Sequence, residues 1–102
     1  RRGGQYNDPA IVIASYLGRE EIVKLLLKCG ANVDAVTDQK SSALHVAAGN
    51  DQSNIVSILI ENGANKEIQN DAGRTPLHSA CRNGYDETVT MMLKKGVNVN
   101  TV

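Results

Sequence analysis

Three stretches of the chain carry one pattern of apolar and polar positions. Ile22-Val23 followed by Leu25-Leu26-Leu27 recurs as Ile55-Val56 and Ile58-Leu59-Ile60, then more weakly as Val89 and Met91-Met92-Leu93. Apolar residues at i, i+3 and i+4 line one face of a helix. Each stretch ends at a glycine, Gly30, Gly63 or Gly96, where left-handed geometry stops a helix cheaply. Upstream of each lies a shorter apolar segment: Ile11 to Ala14, Leu44 to Ala47, and Leu77 to Ala80. The pattern predicts helix, turn, helix and extended arm, three times over. Stretches such as Ala31-Asn32-Val33-Asp34-Ala35 alternate, and a turn follows near Asp71-Ala72-Gly73, which reads as hairpin-like.

The spacing is regular. Val23, Val56 and Val89 are 33 apart, as are Ala14, Ala47 and Ala80, and His45 and His78. Units 4–36, 37–69 and 70–102 tile the chain without insertion, leaving three residues over. Local signals agree. Thr75 can cap a helix and Pro76 then sits in its first turn, where a missing N–H costs nothing. Ser42 takes the cap in the second unit, and Asp8-Pro9 repeats the logic one residue earlier in the first. Gly18 and Asn83-Gly84 break the first helices. The second helices are expected to run to about Lys28, Glu61 and Lys94.

The segment Gly73-Arg74-Thr75-Pro76-Leu77-His78-Ser79-Ala80 resembles the ankyrin-repeat signature, with Thr-Pro-Leu-His-x-Ala intact, and 33 residues is the ankyrin period. The resemblance covers residues 4–102. The second unit departs from it with Ser42-Ala43 for Thr-Pro, Lys40 for the turn glycine and Asp51 for the helix-breaking glycine. The first departs most, with Asn7 for glycine and Val12 for histidine. The resemblance implies an all-α repeat solenoid: helix–turn–helix units with β-hairpin loops, three repeats stacked as a single ankyrin-repeat domain over 1–102. It also implies a module that binds another protein or peptide through the concave side of the stack.

Helices of about ten residues are marginal alone, so each unit needs its neighbours. End units are expected to turn polar. The first does not, since Ala10 to Ala14 are all apolar, while Thr88 softens the last by replacing Ile22 and Ile55. With Val102 falling in mid-hairpin, the chain reads as a segment of a longer array.

Composition narrows the function. The 102 residues hold 11 Lys+Arg and 11 Asp+Glu, so no strongly basic face is expected for nucleic acid. The longest apolar run is far too short to span a bilayer. Two cysteines, 52 apart, make no disulfide framework and fit a reducing cytoplasmic or nuclear setting. His45 and His78 recur in register, which points to turn-bracing structural roles. With Cys81 they lack the further ligands that a zinc site needs. Cys81 shares the slot of Ser15 and Ala48 and is expected to pack, whereas Cys29 is expected to be exposed. Glu20-Glu21 and Asp86-Glu87 open second helices, where they complement the dipole. No phosphate loop, dinucleotide fingerprint, zinc-protease motif or nucleophile elbow is present, so no cofactor, metal or enzymatic activity is expected.

Positions that vary between the units at the loop tips and first-helix ends are the candidate contacts. They are Gln5, Tyr6, Asp8, Tyr16 and Leu17 in the first unit, and Asp38, Gln39, Ser41 and Asn50 in the second. Asp71, Arg74, Arg82 and Asn83 complete the set in the third. Tyr and Arg are frequent interface anchors, and the set predicts a tyrosine-bearing end and an acidic-to-basic gradient. Other readings stay open. The chain is then a spacer in a longer array, or a substrate of an asparagine hydroxylase at Asn100, the family's modified hairpin position, which holds Asp34 and Glu67 in the other units.

Overall fold

The computed structural model describes residues 8–98. Gln5, Tyr6 and Asn100 lie outside the described residues. Among the described residues six helices follow one another: α1 (Ala10–Tyr16), α2 (Glu20–Lys28), α3 (Ala43–Gly49), α4 (Ser53–Glu61), α5 (Pro76–Arg82) and α6 (Asp86–Lys94). Each unit folds as an antiparallel pair, and the pairs stack in register. Helices α1, α3 and α5 form one layer; α2, α4 and α6 form the other. The core runs continuously between the layers through Leu44, Ala47, Val56, Leu59, Leu77, Ala80 and Met92.

The caps show how far local chemistry starts each helix. In α3 the Ser42 hydroxyl accepts from the His45 N–H at 3.2 Å, and His45 Nδ1 accepts from the Ser42 N–H at 3.1 Å. Histidine thus closes a reciprocal capping box in the place usually taken by Glu or Gln. In α5 the Thr75 hydroxyl accepts from the His78 N–H at 3.4 Å, with Pro76 in the first turn. The first unit differs from expectation: the cap residue is Pro9 itself, and no side chain, Asp8 included, caps α1. Pro9 occupies the register slot of Ser42 and Thr75 and has no acceptor to offer, so α1 is held by packing against α3. The second helices end as the pattern predicts, with φ of 92°, 88° and 89° at Gly30, Gly63 and Gly96.

Two non-glycine residues occupy glycine geometry. Lys40 (φ 63°) matches Gly73 (φ 75°), and Asp51 (φ 58°) matches Gly18 and Gly84 (φ 75° and 72°). A side chain in this region costs about 1–2 kcal/mol, so the stack forces on the second unit turns that its own residues disfavour. Lys40 is exposed and only its backbone is engaged, so Lys40→Gly is expected to raise stability by about 1 kcal/mol in urea unfolding. Asp51→Gly is expected to gain nothing. Asp51 Oδ1 accepts from the Thr88 hydroxyl at 2.8 Å, and Thr88 is fully buried. Relief of strain is offset there by an orphaned hydroxyl.

Thr88 also corrects an expectation. It does not soften an outer face; it faces the second unit, with Asp51 satisfying its hydroxyl. The arms are less regular than hairpins. Among the described residues one isolated bridge forms, Val36 with Ser42, and the tips close as tight turns (Thr37 N–H to Ser41 O, 2.9 Å; Asn70 N–H to Arg74 O, 3.0 Å). Neighbouring tips are tied by the Asp71 N–H donating to Gln39 O at 3.0 Å. Carboxylates tie the arms as well: Asp34 accepts from the Asn65 N–H and Glu67 from the Asn98 N–H, both at 2.8 Å.

Candidate interaction surface

Three register columns run along the first-helix layer. Ile13, Val46 and Ser79 form one. Tyr16, Gly49 and Arg82 form the second, and Leu17, Asn50 and Asn83 the third. All three are apolar in the first unit and become polar or bare by the third. In α1 they sit at i, i+3 and i+4, so Ile13, Tyr16 and Leu17 share one face. That face is open to solvent: the three side chains are 41%, 59% and 57% exposed. With Val12 and Val46 they line a groove of about 420 Å³ between the first two units, rimmed by Asp8, Thr37, Gln39 and Ser41.

Of the expected contact residues, Asp8, Tyr16, Leu17, Gln39 and Ser41 meet in this groove. Asp38 and Asp71 stand exposed on the next two loop tips. Arg74 is half-buried, with its carbonyl held by His45. Asn50 and Asn83 are engaged in the scaffold. Asn50 Nδ2 donates to Val46 O at 2.8 Å. Asn83 Nδ2 donates to Ser79 O at 3.0 Å and across the joint to Gly49 O at 3.3 Å. Their variability between units reflects helix-end chemistry. Arg82 is exposed at the end of α5. The residues that sequence reasoning passed over are Val12, Ile13, Thr37 and Val46. The signal for Ile13 and Val46 lies in their register column, Ile13–Val46–Ser79, which loses its apolar character along the stack.

The histidines divide. His45 is buried, and its Nε2 lies 2.7 Å from the Arg74 carbonyl of the next unit. A carbonyl only accepts, so Nε2 carries the proton. Nδ1 then accepts from the Ser42 N–H and hydroxyl, which assigns the neutral tautomer from its partners. Burial pushes the ring's pKa below its ordinary value of 6.5, and the bond to Arg74 opposes this in part. His78 is half-buried, and among the described residues no hydrogen bond of its ring is formed. Cys81, expected to pack, is exposed, because the side of the slot that buries Ser15 and Ala48 is covered by the following unit. Cys29 is exposed. No group of three or more His, Cys, Asp or Glu side chains gathers around a metal-sized site among the described residues. No helix among them is long and apolar enough to cross a membrane.

A sequence model described as ankyrin repeats, three copies, matches residues 10–102. The chain belongs to the ankyrin-repeat family. As a class, ankyrin repeats are protein–protein interaction modules and are typically non-catalytic. Against curated proteins, no match to this ankyrin chain is found.

Proposed function

We propose that this ankyrin stack is a non-catalytic scaffold that binds a protein segment on its concave side, with the groove between α1 and α3 as the principal seat. The observation that carries the reading is the open face of Ile13, Tyr16 and Leu17 beside Val46. Isolated apolar side chains on a surface are ordinary, but a contiguous apolar patch with a polar rim marks a contact site. An apolar anchor on the partner fits the groove, and the Asp8 rim favours a cation beside it. Arg74 and Arg82 on the third unit favour an acid further along. The exposed, unpaired cysteines support placing the module in the cytoplasm or nucleus.

The test compares one partner's affinity across two surfaces. Tyr16→Ala with Leu17→Ala is expected to weaken binding by about 1–3 kcal/mol while helical circular dichroism is unchanged. Substituting Lys24, Lys28 and Lys94 on the second-helix side is expected to leave affinity intact. The reverse result places the interface on the convex side and ends this reading.

A further inference from the structure

Helices α3, α4 and α5 each end on an asparagine that folds back on its own last turn. Asn50 Nδ2 donates to Val46 O and Asn62 Nδ2 to Ile58 O, both at 2.8 Å, and Asn83 Nδ2 donates to Ser79 O at 3.0 Å. All three asparagines are exposed to water. They differ in the residue that follows: Asp51 after Asn50, but Gly63 and Gly84 after the other two. No other asparagine of the chain precedes a glycine. The backbone nitrogen of a glycine is the least hindered in attacking the side-chain amide before it, because no Cβ crowds the ring that forms. Among the described residues, no neighbouring atom lies within 4 Å of where a Cβ would stand on Gly63 or Gly84, so that ring has open space. Asn83 differs from Asn62 in one respect. Its Nδ2 also reaches Gly49 O, in the preceding unit, at 3.3 Å.

We propose that Asn62-Gly63 and Asn83-Gly84 are deamidation sites, and that conversion at Asn83 loosens the joint between the second and third units. The Gly84 nitrogen attacks Asn83 Cγ. The bond from Cγ to Nδ2 breaks, and Nδ2 leaves as ammonia with the proton that Gly84 gives up. Water then opens the cyclic succinimide. Opening at Cγ gives an aspartyl residue; opening at the α-carbonyl gives an isoaspartyl residue, whose backbone runs through Cβ. Folding restrains the first step. The Gly84 N–H donates to Cys81 O at 3.1 Å and the Gly63 N–H to Ile60 O at 3.0 Å, so each nitrogen is freed when its helix end frays. The Asn62 side chain is held by one bond and that of Asn83 by two, so Asn62 converts first. The consequences are unequal. Gly49 O and Ser79 O only accept, so a carboxylate in place of the Asn83 amide loses both bonds and faces the last turns of two helices, where negative charge is disfavoured. One of those bonds crosses the joint. At Asn62 the bond lost lies within α4 and its cap. The new carboxylate also follows Arg82 directly and offsets the cation that the third unit offers an acidic segment. That last consequence rests on the scaffold reading; the loosened joint does not.

Ageing the purified full chain at mildly alkaline pH, followed by peptide mapping in a mass spectrometer, tests this. Amide-to-acid conversion is expected at Asn62 and, more slowly, at Asn83, with isoaspartyl product at both and no conversion at Asn50. The same chain aged in urea is expected to convert faster at both glycine-linked sites, because unfolding frees both nitrogens. The urea midpoint of the folded, aged chain is expected to fall in step with the fraction converted at position 83. Asn83→Gln keeps an amide but disfavours ring closure, so its midpoint is expected to survive ageing. Asn62→Gln is expected to give little protection. Without any ageing, Asn83→Asp is expected to unfold at lower urea than Asn62→Asp. A folded chain that converts at Asn62 but never at Asn83 overturns the proposal. So does conversion at Asn50 as fast as at Asn83, or an Asn83→Asp variant no less stable than Asn62→Asp. None of these measurements uses a binding partner, so their failure leaves the groove reading standing.

Discussion

Leu59→Ala is expected to destabilise the protein by about 3 kcal/mol, a large share of the roughly 5–15 kcal/mol that holds a domain of this size together. Leu59 is fully buried in α4, in the middle unit, where units on both sides close around it. Truncation removes its transfer energy and leaves a cavity that rigid helix pairs cannot fill. The melting temperature is expected to fall by about 15 °C. The same register position in the first unit is Leu26, which is only partly buried, so Leu26→Ala is expected to cost clearly less. Leu25→Ala, on a side chain open to solvent, is expected to change stability by no more than about 0.5 kcal/mol. Urea unfolding of the three variants checks the order. Equal losses at Leu59 and Leu25 would contradict a core concentrated in the middle of the stack.

His45→Ala is expected to cost about 2–3 kcal/mol, while His78→Ala costs less than about 1 kcal/mol. The two residues share a motif and a helix position, so sequence ranks them alike. The difference lies in their partners. Losing the His45 ring opens the capping box at Ser42 and leaves the Arg74 carbonyl without its donor, weakening one helix start and one joint together. His78 retains only its backbone cap from Thr75. A pH dependence follows. Burial holds the His45 pKa below 6.5, so the unfolded chain takes up the proton first as pH falls. The contribution of His45 is therefore complete above pH 6.5 and is lost as pH drops through 6.5 toward the lower folded value. Protonation of Nδ1 also turns the acceptor for the Ser42 N–H into a donor. Comparing urea midpoints of wild type and His45→Ala at several pH values isolates the effect. A gap between them that stays constant below pH 6.5 would show that His45 is not the group responsible.

Much of this molecule is legible in its sequence, because the information is local and repeated three times. The 33-residue register, the six helices, the glycine stops after α2, α4 and α6, and the caps at Ser42 and Thr75 all follow from apolar periodicity and the chemistry of helix ends. Asp8, Tyr16, Leu17, Gln39 and Ser41 line one groove, whereas Asn50 and Asn83, which vary between units as well, bond the backbone of the scaffold. Burial by a neighbour is not local. Ile22, Ile55 and Thr88 occupy one slot, yet only the latter two are covered; Ser15, Ala48 and Cys81 occupy another, and only the first two are. No property of isoleucine, threonine or cysteine decides this; the presence of a packed unit on that side does. The same holds for Lys40 and Asp51, whose own preferences oppose the left-handed turns they adopt. Packing of the helix pairs on either side outweighs about 1–2 kcal/mol of local strain. The sequence by itself determined the units and their order. Only the stack decided which faces are closed, which histidine braces a joint, and where an apolar groove stays open.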